Sequence, residues 1–302
     1  MSKLIRIGTR DSQLALWQAN TVKEKLELLG YQTQLVPVKS TGDLILDKPL
    51  YELGITGVFT KTLDVAMLNG QVDIAVHSMK DVPTLLPKGI VQTAVLARAS
   101  SQDILVHKPM LDLNQPCTIA TGSLRRKAQW LNRYPQHEVV GLRGNVNTRL
   151  QKLEDSAWQG AIFAKAGLER IHKLPNTFMA LDWMTPAPAQ GAMVIVALEN
   201  DTYNQETTAK LNHEESEICT HIEREFLSVL EGGCTAPIGA FAQIIENELH
   251  FKGELLALNG KTKLSVEKTI DLTLYSNFGK NCALELLGNG GTDLMEVIKR
   301  EI

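Results

Sequence analysis

A thiol, a carboxylate and a cluster of guanidiniums are the groups in this 302-residue sequence that could carry chemistry. The thiol is Cys234, in Glu231-Gly232-Gly233-Cys234-Thr235-Ala236-Pro237-Ile238-Gly239. An apolar run ending in Phe226, Leu227, Val229 and Leu230 precedes it. Two glycines stop such a helix, because glycine takes positive φ without steric cost. They leave Cys234 on an accessible loop, where a covalent attachment would sit. The same pattern also fits an ordinary turn with an incidental cysteine, since free cysteine is usually a small buried hydrophobe. The carboxylate is Asp81 in His77-Ser78-Met79-Lys80-Asp81-Val82-Pro83, at a strand end. There it can accept a hydrogen bond from a substrate N–H and face developing positive charge, or simply cap a turn. His77 reads as packing at the strand end.

The guanidiniums crowd Gly122–Arg149. That stretch holds Arg125, Arg126, Lys127, Arg133, Arg143 and Arg149 against one acid, Glu138, in a chain of formal net charge -3. Arg125 and Arg126 fall in the first turn of a predicted helix, where the helix dipole disfavours cations. A bound anion would reverse that cost, because helix N-termini and guanidinium forks both suit carboxylates. Gly141 and Gly144 flank Arg143 and allow close approach to the backbone. A solvated basic face, a small-anion site and a nucleic-acid patch all fit this composition, although no interleaved aromatics support base stacking.

These groups need a frame. Leu4–Gly8 reads as a strand, followed by a helix capped by Asp11 or Ser12, with Leu14, Trp17, Val22, Leu26 and Leu29 on its apolar side and Gly30 as its stop. Strands are predicted at Gln32–Val38, Ile74–His77 and Val91–Leu96, with a helix at Phe59–Leu68. A polar stretch from Leu96 to Ile104, including Arg98 and Asp103, marks a first hinge. A second unit alternates strands at Thr118–Ala120, Glu138–Gly141 and Gly160–Ala164 with helices at Ser123–Asn132 and Val146–Leu153. Such alternation implies βαβ units, whose ligands bind beyond the carboxyl ends of strands. Thr185–Pro188 reads as a return crossing and Met193–Leu198 as a strand rejoining the first unit. His213–Leu230 is a helix leading to the cysteine loop. Strands at Ala240–Ile244, Leu249–Leu256 and Ser265–Leu274, with terminal helices, suggest a smaller α+β domain. The expected division is a first α/β lobe over 1–97 plus 188–211, an arginine-rich second lobe over 98–187 and a C-terminal domain over 214–302. Two α/β lobes joined by two crossings resemble the type II periplasmic-binding-protein architecture.

Composition bounds the rest. A hydrophobic content of 44% and charged content of 22% describe an ordinary globular protein. The small net charge gives no global field for nucleic acid or membrane, and no long apolar run reads as a signal or a span. Cys117, Cys219, Cys234 and Cys282 form no CxxC pair, which argues against a zinc site or a disulfide framework. Cys117, Cys219 and Cys282 read as buried, and Met67, Met79 and Met193 as core or cleft lining. A cytoplasmic monomer, with no metal, nucleic-acid or membrane partner, is the expectation.

Several blocks together carry a resemblance. Ile7-Gly8-Thr9-Arg10-Asp11-Ser12 with Gln18, the His77–Pro83 block, Thr121-Gly122-Ser123-Leu124-Arg125-Arg126, Leu142-Arg143-Gly144-Asn145-Val146 with Arg149, Ala166-Gly167-Leu168, Pro188-Ala189-Gln190-Gly191-Ala192 and the Cys234 loop run in order along nearly the whole chain. This set resembles the hydroxymethylbilane synthase family, also called porphobilinogen deaminases. The resemblance implies the two-lobe fold. It also implies an enzyme that joins four porphobilinogen units head to tail with release of ammonia, on a dipyrromethane cofactor tethered to Cys234 by a thioether, in tetrapyrrole and heme synthesis. By position it implies that Asp81 is catalytic, assisting loss of the amine and stabilising the resulting azafulvenium-like cation. Lys80, Asp81, Ser123, Arg125, Arg126, Gly144, Asn145 and Gln190 would join Cys234 in holding the cofactor. Arg10, Ser12, Gln18, Phe59, Ser78, Arg143, Arg149 and Arg170 would bind substrate. Two departures remove positive charge: Thr56 stands where many members have lysine, and Val196-Ala197-Leu198-Glu199 lacks a later family arginine.

Overall fold

The structure is a computed structural model that describes residues 3–39, 60–230 and 236–301. β1 (Ile5–Thr9) pairs in parallel with β2 (Thr33–Pro37) and β3 (Ile74–Ser78). Between them lie helices α1 (Gln13–Leu28) and α2 (Lys61–Leu68). After β4 (Ile90–Val95) the chain crosses into a second sheet at β5 (Asp103–His107). There β6 (Thr118–Ala120), α3 (Leu124–Arg133), β7 (Glu138–Val140), α4 (Val146–Asp155), β8 (Gly160–Ala164), α5 (Lys165–Arg170) and β9 (Met179–Ala180) follow. The chain returns with β10 (Met193–Leu198), then runs through α6 (Thr202–Ala209) and α7 (Glu214–Val229).

The two sheets share one plan. Their strand orders are β2-β1-β3-β10-β4 and β7-β6-β8-β5-β9. In each, the strand arriving from a crossing, β10 or β5, inserts antiparallel next to the third strand. This double exchange is the type II binding-protein arrangement, and it sets the carboxyl ends of the parallel strands of both lobes beside the crossings. The third domain is a meander of β11 (Ile238–Ile245), β12 (Glu248–Leu256) and β13 (Lys263–Asp271). Its core packs Phe226 of α7 against Phe251 and against Phe278 and Cys282 of α8 (Phe278–Leu286), with Ile298 of α9 (Thr292–Glu301) closing it. Among the described residues, no helix is long and apolar enough to cross a membrane.

Some expectations change. Leu29 is 49% exposed, because α1 ends at Leu28 and the buried stripe is Ala15, Ala19, Val22 and Leu26. The last predicted strand stops at Asp271 and gives way to a 3-10 turn over Leu272–Leu274. The Leu96–Ile104 stretch does join the two sheets, but its last polar residue is internal: Asp103 opens β5 and is fully buried. Arg98 in the same stretch pairs with Glu223 of α7 at 2.6 Å.

Candidate active site

β3 ends at Ser78, and the next three residues, Met79–Asp81, make a single 3-10 turn that presents Lys80 and Asp81. Met79 is buried in the core beneath that turn. Ser78 Oγ accepts a hydrogen bond from Gln18 Nε2 at 2.8 Å. Ser12 caps α1, its Oγ accepting from Ala15 N at 3.3 Å, so the positive end of that helix points here. Arg10, Ser12, Gln18, His77, Ser78 and Asp81 thus line one small cavity beyond the carboxyl ends of β1 and β3. His77 is buried there, and burial together with the Arg10 charge pulls it down to about 4, so its ring is neutral.

On the opposing lobe Ser123 caps α3, its Oγ accepting from Arg126 N at 3.4 Å. Arg125 and Arg126 are both buried in the first turn. The counter-anion that this position requires is built in. Arg126 donates to Asp103 Oδ1 through Nε at 3.0 Å and Nη2 at 2.8 Å, and Arg125 Nη1 lies 2.8 Å from Oδ2. Burial opposes ionisation of Asp103, but the Arg125 and Arg126 charges outweigh it and hold its pKa well below the usual carboxylate range. Gln190 Nε2 donates to the same Oδ1 at 2.9 Å, while its Oε1 accepts from Lys80 Nζ at 3.3 Å. One chain of contacts therefore runs from Lys80 through Gln190 and Asp103 to the two arginines. Asp103 is the functional residue that sequence reasoning missed. Its signal was an acid abutting the apolar run Ile104-Leu105-Val106.

Two further cations join this space. Arg149 donates through Nε to Gly144 O at 2.7 Å. Gly144 has φ +114, and a Cβ there would meet Thr148 Cγ2 at 2.7 Å, so a side chain is excluded. Asn145 caps α4, its Oδ1 accepting from Thr148 N at 3.0 Å. Burial, then the Arg126 charge, brings Arg149 down to about 10 while Asp81 opposes the shift. Burial and Arg126 likewise bring Lys80 down to about 8, against Asp81 and Asp103. Asp81 is thus felt by Lys80 and Arg149 together, and Arg143 adds to the field at Arg149. Arg170 stands apart. It lines another cavity, of about 640 Å³, with Trp17, Leu96 and Met193, and donates to Gly191 O at 2.7 Å. Cys234, Phe59 and Thr56 lie outside the described residues.

The cleft therefore buries more positive than negative charge, and burial holds Lys80, Arg125 and Arg149 at depressed pKa values. Among the described residues, buried Arg125 Nε has no hydrogen-bond partner. Both observations fit a ligand with several carboxylates, which would raise those pKa values again and offer Arg125 Nε an acceptor. Among the described residues no cluster of three His, Cys, Asp or Glu could hold a metal ion.

Comparison with known proteins gives the same direction. A family model described as porphobilinogen deaminase, dipyromethane cofactor binding domain, matches residues 5–206, and its C-terminal domain model matches 217–288. The porphobilinogen deaminase of Carboxydothermus hydrogenoformans is 38% identical over 100% of this chain and 99% of its own. The chloroplastic porphobilinogen deaminase of Oryza sativa subsp. japonica is 38% identical over 98% of this chain and 87% of its own. A solved ancestral cationic amino acid solute binding protein overlaps 69% of this chain and 87% of its own, at 13% identity and a TM-score of 0.43. With two family models spanning both lobes and most of the third domain, and full-length relatives well above 30% identity, the chain belongs to the porphobilinogen deaminase family.

Proposed function

We infer that this chain polymerises four porphobilinogen units into the linear tetrapyrrole hydroxymethylbilane, releasing ammonia as each unit is joined. The observation that carries the inference is a surplus of guanidinium and ammonium charge, from Lys80, Arg125, Arg126 and Arg149, over the two carboxylates of the cleft, Asp103 and Asp81. Every pyrrole unit brings an acetate and a propionate, so a growing chain accumulates the charge that this cleft lacks. Lys80, Ser123, Arg125, Arg126, Gly144, Asn145 and Gln190 would hold a dipyrromethane cofactor tethered to Cys234. Bound there, that group supplies the free pyrrole carbon to which the first unit is joined. Arg10, Ser12, Gln18, Ser78, Arg143 and Arg149 would take the carboxylates and polar edges of incoming and growing units, with the Phe59 ring against their apolar faces; Arg170, which lines the other cavity, is left out of that set.

Asp81 then acts by position and charge. It accepts a hydrogen bond from the pyrrole N–H of the incoming unit. As the C–N bond of the aminomethyl group breaks and its electron pair leaves with nitrogen, positive charge spreads over the ring beside the Asp81 carboxylate. Preorganised charge of this kind typically contributes about 10²–10³ in rate. Lys80, Arg126 and Arg149 meanwhile hold the carboxylates and keep water from solvating them. A monomer acting in the cytoplasm is part of the same proposal, to be checked by light scattering and cell fractionation.

A non-catalytic anion-binding protein on the same fold would need neither Asp81 nor a loop thiol. Intact mass separates the two. The purified protein should exceed its sequence mass by the dipyrromethane adduct, and Cys234→Ser should lose adduct and activity together. Changing Cys117, Cys219 or Cys282 to serine should keep the adduct, since these thiols are buried and burial pushes their pKa values up, to about 12 for Cys219 and about 11 for Cys282. A fully active wild type with no added mass would overturn the tether.

A further inference from the structure

Helix α7 carries two adjacent charged side chains that reach two different parts of the cleft. Glu223 grips the return crossing, accepting from Ala189 N at 2.6 Å. Arg224 grips the turn after β3. Its Nη1 donates to Val82 O at 2.9 Å and Met79 O at 3.3 Å, and its Nη2 to Pro83 O at 2.6 Å. Those three carbonyls bracket Lys80 and Asp81. Among the described residues no carboxylate pairs with Arg224, and burial lowers its pKa.

A guanidinium held only by carbonyls is a poor source of stability, since desolvating a charge is costly. It is an effective clamp, because its planar fork fixes several acceptors at once. The clamped element needs one. A three-residue 3-10 turn has poor hydrogen-bond geometry of its own, and here it has a single internal bond, Val82 N to Met79 O at 3.1 Å. Arg224 is itself fixed, because its neighbours Ile222 and Phe226 are fully buried in the third-domain core. The same helix ends at Val229, shortly before Cys234.

We propose that Arg224 is a positioning residue that registers the Asp81 turn to the helix bearing the cofactor loop. The Asp81 turn of the first lobe is thereby held to a helix packed in the third domain. This rests on the assignment of Asp81 made above. Arg224 acts through the backbone of residues 79–83.

The test uses the full chain with Arg224→Ala and Arg224→Lys, each alone and combined with Asp81→Asn. Amide hydrogen exchange of Met79 to Val82, in protein made without a porphobilinogen supply, reads the clamp independently of activity. Exchange there should quicken in Arg224→Ala and less in Arg224→Lys, with the β12 and β13 amides unchanged. In adduct-bearing protein, single-turnover ammonia release should fall by about 10²-fold in Arg224→Ala, the scale expected for a misplaced reacting group. In the Asp81→Asn background the same change should cost no more than about twofold, since the two act as one unit. Multiplicative losses, or unchanged exchange at the turn, would overturn the proposal, as would loss of the adduct in parallel with activity, which would mark a merely structural role. If Arg224→Ala fails to fold, the Arg224→Lys pair decides by the same ratios. A wild type that releases no ammonia would instead overturn the assigned reaction, while the exchange measurement still decides whether Arg224 holds the turn.

Discussion

Lys80 is the residue on which the charge of the cleft is most finely set. Burial and the Arg126 charge bring it to about 8, against an ordinary value of 10.5. Because the folded value lies below the unfolded one, the unfolded chain holds a proton between these pH values that the folded chain has released. Stability of the adduct-free protein should therefore rise with pH across that window. A polycarboxylate in the cleft reverses the shift, so binding should take up a proton above pH 8 and weaken as pH rises through the window. Titrating the adduct-free protein with butanetetracarboxylate below and above pH 8 checks this. Lys80→Arg should hold its affinity, because guanidinium stays charged; a pH-independent wild type would refute the assignment. Lys80 was legible in the sequence because it sits beside Asp81 in one short block. Asp103 was not, because its partners Arg126 and Gln190 lie 23 and 87 residues away. Read locally, it was one more polar residue in a crossing, and its role exists only once β5 and α3 have come together.

At the scale of elements, most strands and the longer helices were readable, and α5, α6, β5 and the two-residue β9 were not. α1 announced itself by its cap and apolar stripe, and α3, α4 and α7 lie within two residues of their expected bounds. α5 and α6, of 6 and 8 residues, are too short to show a helical period, and β5 was masked by the polar segment that feeds it. The crossings depend on a glycine whose need is tertiary. Gly191 has φ +89, and a Cβ there would stand 2.6 Å from Ala99 O and 2.7 Å from Ser100 O, so the outgoing and returning segments touch at this point. Gly30 has a similar φ of +88 with nothing within 4 Å. Gly30→Ala should therefore carry only the conformational cost, about 1–3 kcal/mol. Gly191→Ala should cost more, because it adds a backbone clash, and should loosen the neighbouring Gln190 from Lys80 and Asp103. Urea midpoints of the two variants give the difference. Equal losses would mean that the crossings slide apart freely and that close approach is not what glycine provides.

At the scale of the molecule, three domains meet on one carboxylate. Glu223, fully buried on α7, accepts from Arg98 of the outgoing crossing at 2.6 Å and 3.1 Å, from Ala189 of the return crossing at 2.6 Å and from Ala242 of β11 at 2.7 Å. Arg98 in turn donates to Gln190 O at 2.8 Å. Ala189 is held at φ +60, a conformation that non-glycine residues adopt only under constraint, and its N–H bond to Glu223 supplies part of that constraint. Glu223→Gln puts an NH2 group where donors already converge and leaves Arg98 a buried charge without its counter-ion. Breaking a buried pair in this way costs about 3–5 kcal/mol, which urea unfolding would read directly. Replacing both partners, as in Glu223→Leu with Arg98→Met, should recover only part of the loss. The pair itself can be exchanged for apolar packing, but the Ala189 and Ala242 N–H groups would then lack an acceptor, at about 1–3 kcal/mol each. Full recovery would show that the junction is held by the apolar core beneath it. A loss under 1 kcal/mol in Glu223→Gln would show that Arg98 finds another partner. Either result would separate the third domain from the geometry of Gln190. The expected pattern, a large single loss and incomplete recovery, would make Glu223 the point through which the domain carrying the cysteine loop sets the spacing of the two lobes.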